Sequence, residues 1–124
     1  MVECLPQYWD FVRKLRMDDR VAYGFIEKSD ITIEQQINYM SKHWQEYFIC
    51  LIDQEPVGFV GSVDGDIRVC TSPEFQKRGI AKFMINYIID KFPNSFAKIK
   101  IDNEASVKSF ESCGFTKQFY ILKK

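Results

Sequence analysis

Apolar positions recur at helical spacing in two early stretches. Tyr8, Val12 and Leu15 share one face with Phe11 beside them, and Pro6 stands where a first helical turn accepts proline. The pattern predicts a helix to about Met17. Thr32-Ile33-Glu34-Gln35 has the form of a capping box, with Thr32 as N-cap and Gln35 at the third position. Ile33, Ile37, Met40 and Trp44 follow on one predicted inner face, so a second helix runs to about Trp44. The connection between the two, Asp18–Asp30, reads as irregular and polar at both ends.

From Tyr47 onward the period changes. Tyr47–Asp53 and Val57–Val63 are β-branched and aromatic runs separated by Gln54-Glu55-Pro56, which predicts a hairpin. Asp64-Gly65 is a tight-turn dipeptide leading into a third strand, Asp66–Thr71, ended by Ser72-Pro73. Ile80, Phe83, Met84, Tyr87 and Ile88 then give a helix its apolar face, stopped near Lys91 by Phe92-Pro93-Asn94. Ala97, Ile99 and Ile101 alternate with Lys98 and Lys100, as in a half-buried strand. Ala105–Cys113 reads as a short helix closed by Gly114, and Phe115–Leu122 as a final strand. Two helices, a meander and then strand–helix–strand–helix–strand make an α/β fold with a mixed central sheet and helices on both faces.

Composition narrows the class. At 124 residues the chain reads as one domain, 1–124, and its 46% hydrophobic content is enough for one core. Seventeen basic residues balance seventeen acidic ones, so global charge gives no support for a nucleic-acid partner. Apolar runs are too short to span a bilayer, and the N-terminus lacks a signal-peptide pattern, so a cytoplasmic protein is expected. Cys4, Cys50, Cys70 and Cys113 are widely spread and read as reduced, structural thiols, with no metal site.

Candidate chemistry concentrates after the third strand. Gln76-Lys77-Arg78-Gly79-Ile80-Ala81 joins that strand to a helix start. The first N–H groups of a helix have no intrahelical partner, and the macrodipole there favours an anion. Gly79 has no Cβ to keep a ligand from the backbone, and Lys77 and Arg78 add positive charge. The loop reads as a phosphate or pyrophosphate site, although a polar loop with one glycine before a helix is also a common surface feature.

A second segment, from Asn103 through Ser106 and Phe110 to Gly114-Phe115, extends the pattern. Together the two segments resemble the GNAT superfamily of acyl-CoA-dependent N-acetyltransferases. Gln76, Gly79 and Ala81 match its first signature; Asn103, Gly114 and Phe115 match its second. The resemblance covers roughly Tyr47 to Phe115. It implies acetyl-CoA as cofactor, with pyrophosphate at Gln76–Ala81 and pantetheine paired to the edge of Val69, Cys70 and Thr71 as an added strand would be. It further implies an oxyanion donor among the N–H groups near Val69 or Cys70, and cofactor contacts from Asn103 or Ser106. A plain helix N-cap explains Asn103 almost as well.

Acetyl transfer to an amine requires the amine to be neutral, hence a base or a water chain. The candidates are Asp66, which also suits an ordinary turn, and His43, the single histidine. Many relatives carry a tyrosine acid where this chain has Phe110, so another group donates the proton or the thiolate leaves unprotonated. Cys113 ends a helix, where the dipole disfavours a thiolate nucleophile. The sequence stops two residues after Leu122, where the family usually continues into a seventh strand. An acceptor pocket that is open, or completed in a homodimer, is therefore expected. The acceptor is expected to be a primary amine on a small molecule, with an amino sugar or a nucleotide-linked amino sugar in view. The alternatives are a protein N-terminus or lysine, and a non-catalytic acyl-CoA-binding module.

Overall fold

The structure is a computed structural model that describes residues 1–22, Phe25 and 30–124. Much of the predicted irregular Asp18–Asp30 connection therefore lies outside the described residues. Four antiparallel strands form the sheet in the order β1-β2-β3-β4: β1 (Val2–Glu3), β2 (Tyr47–Ile52), β3 (Glu55–Val63) and β4 (Asp66–Thr71). Helices α1 (Trp9–Met17), α2 (Asp19–Ala22) and α3 (Ile33–His43) precede β2, while α4 (Ile80–Lys91) and α5 (Glu104–Ser112) follow β4.

Strand alternation divides the core into two layers. Tyr47, Ile49, Phe59, Val63 and Cys70 face α1 and α3 together with Val12, Leu15 and Met40. Phe48, Cys50, Val57, Val60 and Ile67 face the other way, against Ile80, Met84, Ile85 and Ile88 of α4 and Phe110 of α5. Glycines at two β3 positions let neighbours come close. A Cβ on Gly61 would meet the Tyr47 ring at 2.7 Å, and one on Gly58 would meet Cys70 O at 2.8 Å and Met84 Cε at 2.9 Å.

Local signals held. The Thr32 hydroxyl accepts from Gln35 N, and the Gln35 side chain accepts from Thr32 N, completing the capping box of α3. Asp64 and Gly65 have φ of +53° and +82°, as a tight hairpin turn with two left-handed residues requires. The other hairpin differs from expectation. Its turn is Asp53-Gln54, both at positive φ, and Glu55-Pro56 already belong to β3. Leu51 pairs with Pro56 and Cys50 with Gly58, so Val57 is the extra residue of a bulge, a position where a proline without an N–H is tolerated.

The inner face of α3 is also corrected. Ile33 and Ile37 are exposed, whereas Gln36 and Met40 are buried. Gln36 Nε2 donates to Trp9 O at 2.8 Å, and that bond lets a polar side chain occupy the α1–α3 interface. On α4, Phe83 lies exposed and Ile85 takes the core position.

Two predicted strands do not form among the described residues. The chain after α4 meets the sheet at one parallel bridge, Asp66↔Phe96, with Ile67 N donating to Phe96 O and Phe96 N to Gly65 O. Ser95 Oγ and Ser62 Oγ, 2.6 Å apart, fix the same point. Beyond it Ala97 and Ile99 keep the half-buried side of an alternation, but the backbone leaves β4 instead of continuing the ladder. Phe115 packs into the α4 layer, and residues 116–124 form no strand, with Phe119, Tyr120, Ile121 and Leu122 exposed. Apolar alternation supplies faces, and a strand also needs a neighbouring ladder.

Candidate active site

Because β4 is the last strand of the sheet, its outer side is open beyond the Phe96 bridge. Backbone groups alternate in direction along an antiparallel strand. Ile67 N points outward to Phe96 O, and Ser72 N points inward to Val57 O. Val69 and Thr71 therefore direct their N–H and C=O groups to the open side, while Cys70 directs its own toward β3. The expected oxyanion donor near Val69 or Cys70 narrows on this geometry to Val69.

Past Thr71 the chain makes a single 3₁₀ turn, Pro73–Phe75, and enters the glycine loop. Gln76, Lys77, Arg78 and Gly79 are all exposed. Lys77 holds φ at +64°, which is uncommon away from glycine and asparagine. Gly79 is the N-cap of α4 with φ +79°, a conformation that favours glycine. Its outer side is clear, since a Cβ built there meets no atom within 4 Å. Phe83 N is the first amide bonded back into the helix, to Gly79 O, which leaves the N–H groups of Ile80, Ala81 and Lys82 at the open end. The Arg78 guanidinium stacks over Phe75, 5.3 Å from the ring centre.

The loop and the strand edge thus form one continuous surface from Val69 to Ala81. The other predicted site residues lie apart from the loop. Asn103 caps α5 by accepting from Ser106 N at 3.2 Å. Cys113, at the opposite end of α5, places its Sγ 3.7 Å from Lys82 O in the first turn of α4. At the helical rise, Asn103 and Ser106 stand about 10–15 Å along α5 from Cys113.

Asp66 begins β4, about 10 Å before Val69 at the strand rise. Its carboxylate faces Arg68 Nε at 3.7 Å and Lys98 Nζ at 4.0 Å. His43 ends α3 on the other core layer. Its Nδ1 lies 2.6 Å from Glu46 Oε1, and its ring stacks on Tyr39 with centroids 4.6 Å apart. Tyr39 in turn shares a 2.8 Å hydroxyl contact with Tyr47, whose burial pushes its phenol pKa upward. Glu46 was missed in the sequence, although His43-x-x-Glu46 has the spacing of neighbours on one helical turn.

An ionic bridge joins the early helices to the loop region. Arg20 binds Asp18 Oδ2 at 2.7 Å and Glu74 Oε1 at 2.9 Å, and Ser72 Oγ donates to Glu74 Oε2 at 2.8 Å. The Arg20 hydrogen bonds hold the Asp18 carboxyl below its usual range. Hydrogen bonds from Glu74's own backbone, Ser72 and Arg20 do the same for Glu74. Burial pushes the Cys4 and Cys70 thiols up to about 12.

The sequence matches the model of the acetyltransferase (GNAT) family over residues 9–115. The chain belongs to the acetyltransferase (GNAT) family. This bears out the resemblance carried by Gln76, Gly79, Ala81, Asn103, Gly114 and Phe115, and with it the α/β fold and the reading as an N-acetyltransferase of a family whose acetyl donor is acetyl-CoA. No curated protein matches the sequence. Among solved GNAT structures, spermidine N-acetyltransferase from Vibrio cholerae, in complex with CoA and spermine, superposes with a TM-score of 0.83 at 16% identity, over 98% of this chain and 83% of that one. Ribosomal-protein-alanine N-acetyltransferase from Brucella melitensis gives 0.78 at 12% identity, over 90% and 81%. AAC(6')-Iy, in complex with the bisubstrate analogue CoA-S-monomethyl-acetylneamine, gives 0.70 at 17% identity, over 96% and 91%. At these identities the likeness is one of GNAT fold. Among the described residues, no helix is long and apolar enough to cross a membrane, and no His/Cys/Asp/Glu group is arranged to hold a metal ion.

Proposed function

We propose that this GNAT protein binds acetyl-CoA along β4 and the Gln76–Ala81 loop and acetylates a primary amine of a small molecule. The observation that carries this reading is the continuity of the open β4 edge with the helix end at Gly79. The residues fit the cofactor in two respects. A methyl-free Gly79 faces clear space beside the first amides of α4, and Thr71 Oγ1 is buried with no hydrogen-bond partner among the described residues. When bound, acetyl-CoA supplies the activated acyl thioester.

The protein's own groups divide the remaining work. Ile80, Ala81 and Lys82 N–H, with Lys77 and Arg78, hold negative charge at the loop. Thr71 N–H and C=O, with Val69 C=O, hold an extended polar chain at the edge. Val69 N–H donates to the oxygen on which charge develops. His43, oriented by Glu46, takes a proton from the amine, because a base held by a third group keeps its free nitrogen available. Asp66 is the second candidate base, flanked by Arg68 and Lys98. Asn103 and Ser106 are assigned to the cofactor through the family's second signature, at the start of α5. Transfer is inferred to be direct, in a ternary complex, and because Phe110 supplies no proton a leaving thiolate would find no tyrosine acid at this position of α5.

Two of the proteins similar in fold are a spermidine N-acetyltransferase and a ribosomal-protein-alanine N-acetyltransferase. The test is a screen of polyamines, amino sugars, nucleotide-linked amino sugars and alanine-terminated peptides with acetyl-CoA, read as free thiol released. Turnover on a small amine supports the proposal. Turnover on peptides alone moves the acceptor class to proteins. Tight cofactor binding without turnover on any amine identifies a binding module.

A further inference from the structure

Arg20 stands in α2, beside Val21, which is buried on the α1 and α3 side of the core. Its backbone N–H and Nε donate to Asp18 Oδ1 at 2.9 and 3.0 Å, and its Nη2 donates to Asp18 Oδ2 at 2.7 Å. The guanidinium fork is thereby fixed in direction, and its remaining nitrogen, Nη1, donates to Glu74 Oε1 at 2.9 Å. Glu74 Oε2 accepts from Ser72 Oγ, so both oxygens of that carboxylate are engaged. An isolated exposed ion pair contributes little, but a bidentate arginine already oriented by a neighbour gives up less freedom when it pairs.

The place of the bridge matters more than its strength. Glu74 belongs to the 3₁₀ turn between β4 and the glycine loop, and its neighbour Phe75 packs on the α4 layer. The Arg78 guanidinium lies over the Phe75 ring. The bridge therefore crosses the end of β4, from the core layer that holds His43 to the turn that supports a cation of the loop.

We propose that the Arg20–Glu74 bridge is a strap that positions the glycine loop for the cofactor's phosphates, with Arg20 and Glu74 as positioning residues. The proposal rests on the acetyl-CoA reading above. Arg20 holds Glu74, the turn carries Phe75, and Phe75 supports Arg78. With the bridge cut, the turn keeps its hold on β3, through Ser72 N donating to Val57 O, and on the α4 layer, through Phe75. It loses its tie to α2, and the Arg78 platform gains freedom that an anion must then remove on binding. Charge alone predicts the opposite for one partner. The Glu74 carboxylate lies two positions before Gln76, and a negative charge there repels phosphate. Neutralising it tightens binding if charge decides and weakens binding if position decides.

The experiment titrates acetyl-CoA by calorimetry, at one ionic strength, into wild type, Arg20→Gln, Glu74→Gln, the Arg20→Gln/Glu74→Gln pair, Arg78→Gln and Arg20→Gln/Arg78→Gln. Arg20→Gln and Glu74→Gln are each expected to weaken binding about three- to fivefold, the upper range for an exposed pair. The Arg20–Glu74 pair variant is expected to stay within about twofold of either single variant, because both changes cut the same strap. In the Arg78→Gln background, Arg20→Gln is expected to add less than about twofold, since the group it positions is gone. Tighter or unchanged binding in Glu74→Gln overturns the proposal. So do losses that multiply in full in the double variants, because independent contacts, and not one line of support, give that result. Wild type that fails to bind acetyl-CoA overturns the cofactor reading itself, and this proposal with it.

Discussion

Phe115 meets Phe110 edge-on, with ring centroids 5.1 Å apart and planes inclined at 77°. The contact closes the end of α5 onto the α4 layer, where Phe110 is 3% exposed. A tyrosine at 110 would direct its hydroxyl into this apolar packing. Phe110→Tyr is therefore expected to leave kcat within about tenfold of wild type, because a thiolate already leaves tolerably. It is expected to cost about 1–2 kcal/mol of stability through the buried hydroxyl. Steady-state kinetics on the best acceptor, with a denaturant midpoint, check both. A large gain in kcat would show that the native protein lacks an acid it needs.

Gly79 separates two effects that are usually confounded. Its φ of +79° strains any side chain, yet its surroundings leave room for one. Gly79→Ala should lose about 1 kcal/mol of stability and keep most of its cofactor affinity. Gly79→Trp should pay the same backbone cost and in addition block the anion, weakening acetyl-CoA binding at least about tenfold. Calorimetry on both folded variants decides. Equal affinity in the tryptophan variant would remove the pyrophosphate from this loop.

The two base candidates predict different kinetics. His43→Gln should lower kcat about 10²-fold or more while acetyl-CoA affinity stays unchanged, because His43 lies on the opposite core layer from α4. Asp66→Asn should lower kcat less than about tenfold, since Asp66 stands at the far end of β4 and is held by two cations. A reversed order would make Asp66 the base.

Alkaline stability follows from the buried thiols. Burial raises Cys4 and Cys70 from 9.0 to about 12, so both are neutral in the folded protein over a range where the unfolded chain ionises them. Their contribution is complete below pH 9 and falls as pH rises from 9 toward 12, by up to about 1.4 kcal/mol per pH unit for each thiol. Urea midpoints measured between pH 8 and 11 should drop, and Cys70→Ser should flatten the slope. At pH 8 a thiol reagent should modify half-buried Cys113 well before Cys4 or Cys70.

Features written in a few adjacent residues were legible in the sequence. Thr32 and Gln35 specify their cap, Asp64-Gly65 its turn, and Gly79 the start of α4, because each acts on neighbouring backbone. Features that depend on a distant partner were not. The stripe Ile33–Ile37 has helical period but faces outward, because Gln36 finds Trp9 O across the interface. Pro56 looks like a loop residue until the bulge beside Cys50 and Leu51 gives it a place in β3. Residues 97–101 and 115–122 have strand composition without a ladder. In the candidate site, the glycine loop was legible in adjacent residues, whereas the β4 edge came only through the family resemblance. The Glu46 partner of His43 and the Arg20–Glu74 bridge required the folded chain, the latter spanning 54 positions.

Gly58 stands between the two halves of the proposed acetyl-CoA cradle, paired with Thr71 of β4 and covered by Met84 of α4, and so sets their relative height. The hydrogen at this position lets Met84 rest where a methyl group would stand, so α4 lies low on the sheet just across from Thr71. Adding one carbon would lift the helix, and its amide-bearing end would rise with it while the strand edge stayed in place. A ligand spanning both would then be asked to bridge a step. The alignment of strand and helix is thus gauged by a single hydrogen, in the way a machined spacer fixes the gap between the two parts it touches.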